Sequence, residues 1–159
     1  MKSDSSLRFS EMLSSSAKVN FHYLLKKDIH LPRRKELKLF IKTIFKKEHT
    51  CPEKIDFIFC NDPFLLKINL EFLQHNYYTD IITFDLSDSN RVTAEIYISI
   101  DRVRENAKSF KTSIISEIHR VMFHGVLHLC GYDDTFPGQK AIMKKKEDYY
   151  LKLYQQCST

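Results

Sequence analysis

The chain has 159 residues, 43% of them hydrophobic and 13% aromatic, with only 3 Gly and 4 Pro; this excludes a fibrous or wholly disordered chain and predicts a globular protein with a real core. A formal net charge of +5 and an isoelectric point near 9.0 favour polyanionic partners without naming one. Apolar runs are too short for a membrane span, the first residues hold no signal-peptide core, and the four cysteines (Cys51, Cys60, Cys130, Cys157) form no CxxC pair, so a cytoplasmic protein with free thiols is expected.

Residues 1–18 are polar and serine-rich without a sustained period, and read as a poorly ordered leader; residues 19–159 read as a single domain. "VNFHYLL" alternates Val19, Phe21 and Tyr23 against Asn20 and His22, the period of a half-buried strand. "RRKELKLFIKTIFKKEH" sets Leu37, Phe40, Ile41, Ile44 and Phe45 at helical spacing against Lys35, Lys38, Lys42 and Lys46, an amphipathic helix whose basic face is read as solvated. "KIDFIFC" is a second strand, and "NDPFLLKINLEFLQHN" opens with a cap and a proline that start a helix. "TDIITFDLS" and "RVTAEIYISI" are β-rich runs about the polar turn "DSNR", and their apolar character on both faces predicts two central strands.

"DRVRENAKSF" predicts a short helix and "TSIISEIHRVMFHGVLHLC" a long one, with Ile115, Ile118 and Met122 in its core stripe and Gly131 as its stop. "GQKAIMKKKEDYYLKLYQQ" predicts a last helix with Ile142, Tyr149 and Leu153 facing inward. The expected architecture is α+β (mixed α/β): one small, mostly parallel mixed sheet of about four strands flanked by helices.

Within the long helix and the turn after it stands "HGVLHLCGYDD", residues 124–134. Residues four apart share a helix face, so His124 and His128 can offer two imidazoles to one ion. Gly131 allows a sharp turn, and Asp134 on the returning loop can supply a third ligand. Three protein ligands would leave a fourth position for water, which distinguishes a catalytic zinc from a structural one. A zinc protease carries glutamate immediately after the first histidine as its general base; here that residue is Gly125, so a peptidase is not indicated.

"HGVLHLCGYDD", preceded by "TDIITFDLS" and "AEIYISID", resembles the signature H-G-x-L-H-L-x-G-Y-D-H of the YbeY family of metal-dependent endoribonucleases, over roughly residues 54–150. The resemblance implies a small mixed sheet flanked by helices and a zinc ion in a cleft. It implies cleavage of single-stranded RNA in ribosomal RNA maturation, notably at the 3′ end of the small-subunit species, and in ribosome quality control, with the small ribosomal subunit as partner. Two positions depart from the family pattern. Asp134 stands where the family has histidine, and its charge should make bound water less acidic, moving activity to higher pH or another metal. Leu73 stands where the family carries an arginine, counted back from Thr79 and Asp80.

Arg120, one turn before His124 on the same face, is the candidate to neutralise a phosphate; pairing with a local carboxylate is the alternative. His119 and Glu117 are weaker candidates, since Glu117 lies about 10 Å along the axis from His124. Thr79, Asp80 and Glu95 match family positions but suit turn or cap roles as well. Tyr77 and Tyr78 either stack on unpaired bases or pack their loop. Cys130 reads as a core residue. Two other functions stay open: a ribosome-assembly or RNA-binding factor with a structural metal, for which a fourth ligand such as Asp133 would speak, and a zinc hydrolase acting on another phosphoester or an amide.

Overall fold

A computed structural model describes residues 16–25 and 29–157; the expected leader lies mostly outside these. The described residues form four strands, β1 (Lys18–Tyr23), β2 (Pro52–Cys60), β3 (Ile81–Asp85) and β4 (Val92–Ser99), and five helices, α1 (Arg34–Lys47), α2 (Asp62–Leu73), α3 (Ile100–Ser109), α4 (Ile114–Leu129) and α5 (Pro137–Cys157). The sheet order is β1-β2-β4-β3, with β1/β2 and β2/β4 parallel and β3/β4 antiparallel. The mostly parallel mixed sheet flanked by helices is thus present.

β2 lies inside the sheet and is buried on both faces from Ile55 to Cys60, which explains a run that is apolar except for Asp56, whose carboxylate is paired with Asn20 and Lys54. β4 is central, as expected, but β3 is an edge strand. The error has a physical cause. Apolar residues on both faces of a strand report what covers those faces, not whether both edges are hydrogen-bonded: Ile81 packs into the main core and Ile82 into a smaller cluster with Leu65 and Ile68 of α2, while the far edge of β3 pairs with no strand among the described residues.

α4 lies against β3 and β4 with Ile118, Val121, Met122 and Val126 fully or nearly fully buried. It approaches so closely at Gly125 that a Cβ there would stand 2.9 Å from Ile81 Cδ1 and 3.1 Å from Ile96 Cγ2. The position after the first histidine therefore faces the sheet, and a protease glutamate would have no room in it.

The last helix turns differently from the sequence expectation. Its inward stripe is Met143, Glu147, Tyr150 and Tyr154, whereas Ile142 and Tyr149 are about half exposed and Leu153 is only partly buried. The stripe is displaced by one residue because the rings of Tyr150 and Tyr154 pack against Phe40 of α1, and Tyr154 also meets Phe123 of α4. The amphiphilic bodies of the tyrosines serve as core, and the charged Glu147 is admitted because it is paired.

Candidate metal centre

α4 begins at an N-cap Ser113, whose side chain accepts from the Ser116 amide, and ends in a doubly bonded turn. The Gly131 amide bonds His128 O and the Tyr132 amide bonds Leu127 O, with Gly131 at φ +95. This is the helix ending in which a left-handed residue reverses the chain, and glycine takes that conformation without Cβ strain. The reversal carries Asp134 back over the helix flank on which Arg120, His124 and His128 lie one turn apart.

The ligand atoms converge. His124 Nε2 and His128 Nε2 are 2.9 Å apart, and the Asp134 carboxylate lies 3.4 Å from the first and 3.7 Å from the second. One ligand atom from each of the three residues fits within 4.8 Å of the others, so the group could hold a metal ion.

The outer nitrogens fix how the rings present themselves. His124 Nδ1 donates to the Glu147 carboxylate, and His128 Nδ1 donates to the Tyr132 carbonyl at 2.9 Å. With each Nδ1 hydrogen so committed, both Nε2 lone pairs face one another beside an anionic oxygen, the donor set a cation needs between them. Two imidazoles and a carboxylate suit zinc and other divalent transition metals. Burial would raise the carboxyl pKa of Glu147, but hydrogen bonds and charge from His124 and Arg120 outweigh it and hold it below the usual carboxylate range.

Arg120 sits in a cage of carboxylates. Its guanidinium forks onto Glu117 at 2.9 and 2.5 Å, bonds Glu147 at 3.0 Å and approaches Asp80 at 3.8 Å. Burial works against its charge, yet Glu117 and Glu147 raise its pKa further above the usual arginine value. Three of its five N–H donors are used in these bonds.

The three ligand candidates stand where two grooves meet. One, of about 590 Å³, holds His124 and Asp134 with Arg120, Phe110, Lys140 and Lys144 on its walls. The other, of about 430 Å³, holds His128 with Leu73, His75, Tyr77 and Thr79.

Tyr77 therefore faces the site, its hydroxyl 2.9 Å from His75 Nδ1, whereas Tyr78 carries the Arg102 guanidinium over its ring at 5.1 Å and lines neither groove. Thr79 and Asp80 hold the loop: Thr79 Oγ1 donates to Ile81 O, and Asp80 accepts from Ser99 N and Asn106 Nδ2. Glu95 accepts from the Tyr97 hydroxyl, away from the ligand group. Asp133 is turned into its own loop, accepting from the Asp134 and Thr135 amides, and lies outside that group. His119 is buried against Phe123 and Tyr154. Cys130 is partly buried against the core, and burial pushes its thiol up to about 12, away from the thiolate form.

The endoribonuclease YbeY family model matches residues 23–155. The chain belongs to the YbeY endoribonuclease family. Relatives named endoribonuclease YbeY include one from Parabacteroides distasonis, 41% identical over 79% of this chain and 90% of its own. Another, from Cytophaga hutchinsonii, is 45% identical over 77% of this chain and 87% of its own. The solution structure of TM1509 from Thermotoga maritima aligns with a TM-score of 0.57 and 26% identity over 87% of this chain and 88% of that one. The Asp134 and Leu73 departures noted from the YbeY signature thus both fall on the walls of the site grooves.

Glu147 and the Tyr132 carbonyl are the site groups that the sequence reading missed. The main-chain carbonyl leaves no trace in residue type. Glu147 did leave one: with the inward stripe of α5 placed on Met143, Tyr150 and Tyr154, it is the single charge in an apolar stripe, and such a charge needs a buried partner.

Proposed function

We propose that the protein is a zinc-dependent, single-strand-specific endoribonuclease that acts in the cytoplasm on ribosomal RNA, maturing the 3′ end of the small-subunit species and serving ribosome quality control. Membership of the family makes it a nuclease of RNA phosphodiester bonds. The observation that carries metal dependence is the convergence of His124, His128 and Asp134 beside two grooves, while the ribosomal RNA role rests on the family resemblance. A strand laid through both grooves would present an internal phosphate to these residues, which suits an endonuclease.

A divalent ion held by His124, His128 and Asp134 would supply Lewis-acid stabilisation to negative charge on the phosphate. The chain does the rest. Glu147 and the Tyr132 carbonyl hold the two imidazoles with Nε2 inward, and Arg120, itself paired with Glu117, Glu147 and Asp80, keeps Glu147 ionised on the wall of the groove beside His124. Lys140 and Lys144 add positive charge to the groove beside His124. Phe110 and Tyr77 line the two grooves and are 63% and 56% exposed; Arg120 lies over one face of Phe110 and His75 stacks on one face of Tyr77, and the exposed remainder of each ring supports a preference for unpaired bases. Contact with the small ribosomal subunit follows from the family resemblance.

The test is cleavage of a labelled single-stranded RNA by the zinc-loaded protein beside His128→Ala, with bound metal measured in both. Loss of cleavage together with loss of zinc supports the reading. Equal cleavage by the two proteins, despite zinc in only one, would refute it.

A further inference from the structure

Glu48 stands just past α1, outside the metal motif and far from it in sequence. Its side chain is 9% exposed, and its carboxylate accepts from the Tyr132 hydroxyl at 2.7 Å, from Lys146 Nζ at 2.8 Å and from the Tyr150 hydroxyl. Burial of this carboxylate would raise its pKa, but the bonds from Lys146, Tyr150 and Tyr132 outweigh that cost and lower it. It is a largely buried carboxylate engaged by three donors.

Tyr132 is fixed at both ends. Its hydroxyl meets Glu48, its ring lies 5.2 Å from the Lys146 ammonium, and its carbonyl receives His128 Nδ1. It is also the residue that follows the Gly131 reversal and precedes Asp133 and Asp134. Wherever Glu48 holds the phenol, the carbonyl that orients one imidazole and the backbone that delivers the carboxylate are held too.

We propose that Glu48 is a positioning residue of the metal centre, acting through Tyr132 on His128 and Asp134. The proposal rests on reading His124, His128 and Asp134 as metal ligands. Glu48 also bonds Tyr150, and that bond leads into α5 and not to the loop, which provides an internal control: a general packing role would weigh the two tyrosines alike, a positioning role would not.

Zinc affinity, thermal midpoint and the ¹⁵N shifts of the His128 ring in the metal-free protein are measured for Glu48→Gln, Tyr132→Phe, their double variant and Tyr150→Phe. Glu48→Gln and Tyr132→Phe should each weaken zinc binding about tenfold, the lower end of what loss of a supporting group costs a metal site, and the double variant should be no weaker than the worse single one. In both, the His128 ring should lose its fixed Nδ1–H form. Tyr150→Phe should lower the thermal midpoint and leave zinc affinity within about twofold. Unchanged affinity and tautomer in folded Tyr132→Phe, or equal weakening in Tyr150→Phe, would overturn the proposal while leaving the metal reading intact. Failure of the wild-type protein to bind zinc at all would overturn both. Should Glu48→Gln not fold, the two tyrosine variants decide the matter between them.

Discussion

Glu147 and His124, on different helices and 23 residues apart, meet through a carboxylate oxygen and an imidazole Nδ1 while Arg120 grips the other oxygen of the same carboxylate. The contact sets the ring tautomer and raises its basicity toward a cation. Glu147→Gln keeps the shape and removes the charge. Zinc affinity, measured by competition with a chromophoric chelator, should fall about 10- to 100-fold with helix content unchanged. An unaltered affinity would show that the pair serves folding alone.

Asp134→His replaces a carboxylate by a neutral ligand of the family pattern. The bound cation keeps more of its charge, so the acid limb of the pH–rate profile for RNA cleavage should move to lower pH. A limb that stays in place, or moves up, contradicts the charge argument.

Leu73 is 41% exposed on the groove wall beside His128. Leu73→Arg adds a cation where a phosphate would pass. Affinity for single-stranded RNA should rise, and the slope of log K against log salt should steepen by about 0.7, the counterion release for one added contact on a single strand. If the slope does not change, RNA does not run past that wall.

Gly125→Glu tests the close packing of α4 on the sheet. A carboxylate forced between Ile81 and Ile96 has neither space nor partner, so the variant should lose more than about 3 kcal/mol of stability and gain no peptidase activity. Gly125→Ala should cost less than the glutamate variant, about 1 to 2 kcal/mol, because the added methyl must displace Ile81 Cδ1 and press on the buried Ile96, and the gain in helix propensity offsets only part of that. Chemical denaturation measures both. Wild-type stability in the glutamate variant would place residue 125 away from the sheet.

His119 gives a stability signature on the acid side. Burial pushes its imidazole down to about 4, and its Nε2 has no hydrogen-bond partner among the described residues. The unfolded chain takes up a proton near pH 6.5 that the native state refuses until about pH 4, so this residue costs nothing above about 6.5 and reduces stability increasingly as pH falls toward 4, by about 3 kcal/mol in all. His119→Phe, which keeps a ring between Phe123 and Tyr154, should flatten that part of the stability curve in urea titrations at several pH values. Curves that fall in parallel for both proteins would assign the acid loss to other groups.

The local periods of the chain determined much of this protein. Strand alternation from Val19, the cap and proline at Asn61 to Pro63, the helical spacing of His124 and His128, and the glycine that reverses the chain toward Asp134 all act within a few residues, and each is visible in the sequence. What the tertiary structure alone decided involves contacts over long separations. The edge position of β3 depends on which strand β4 pairs with next, and the one-residue rotation of α5 depends on the ring of Phe40. The orientation of both imidazoles depends on Glu147 and on a backbone carbonyl, and the loop that bears the carbonyl is tied to Glu48 across 84 residues. Residue spacing fixes which side chains share a helix face, but only the packed chain fixes what stands opposite them.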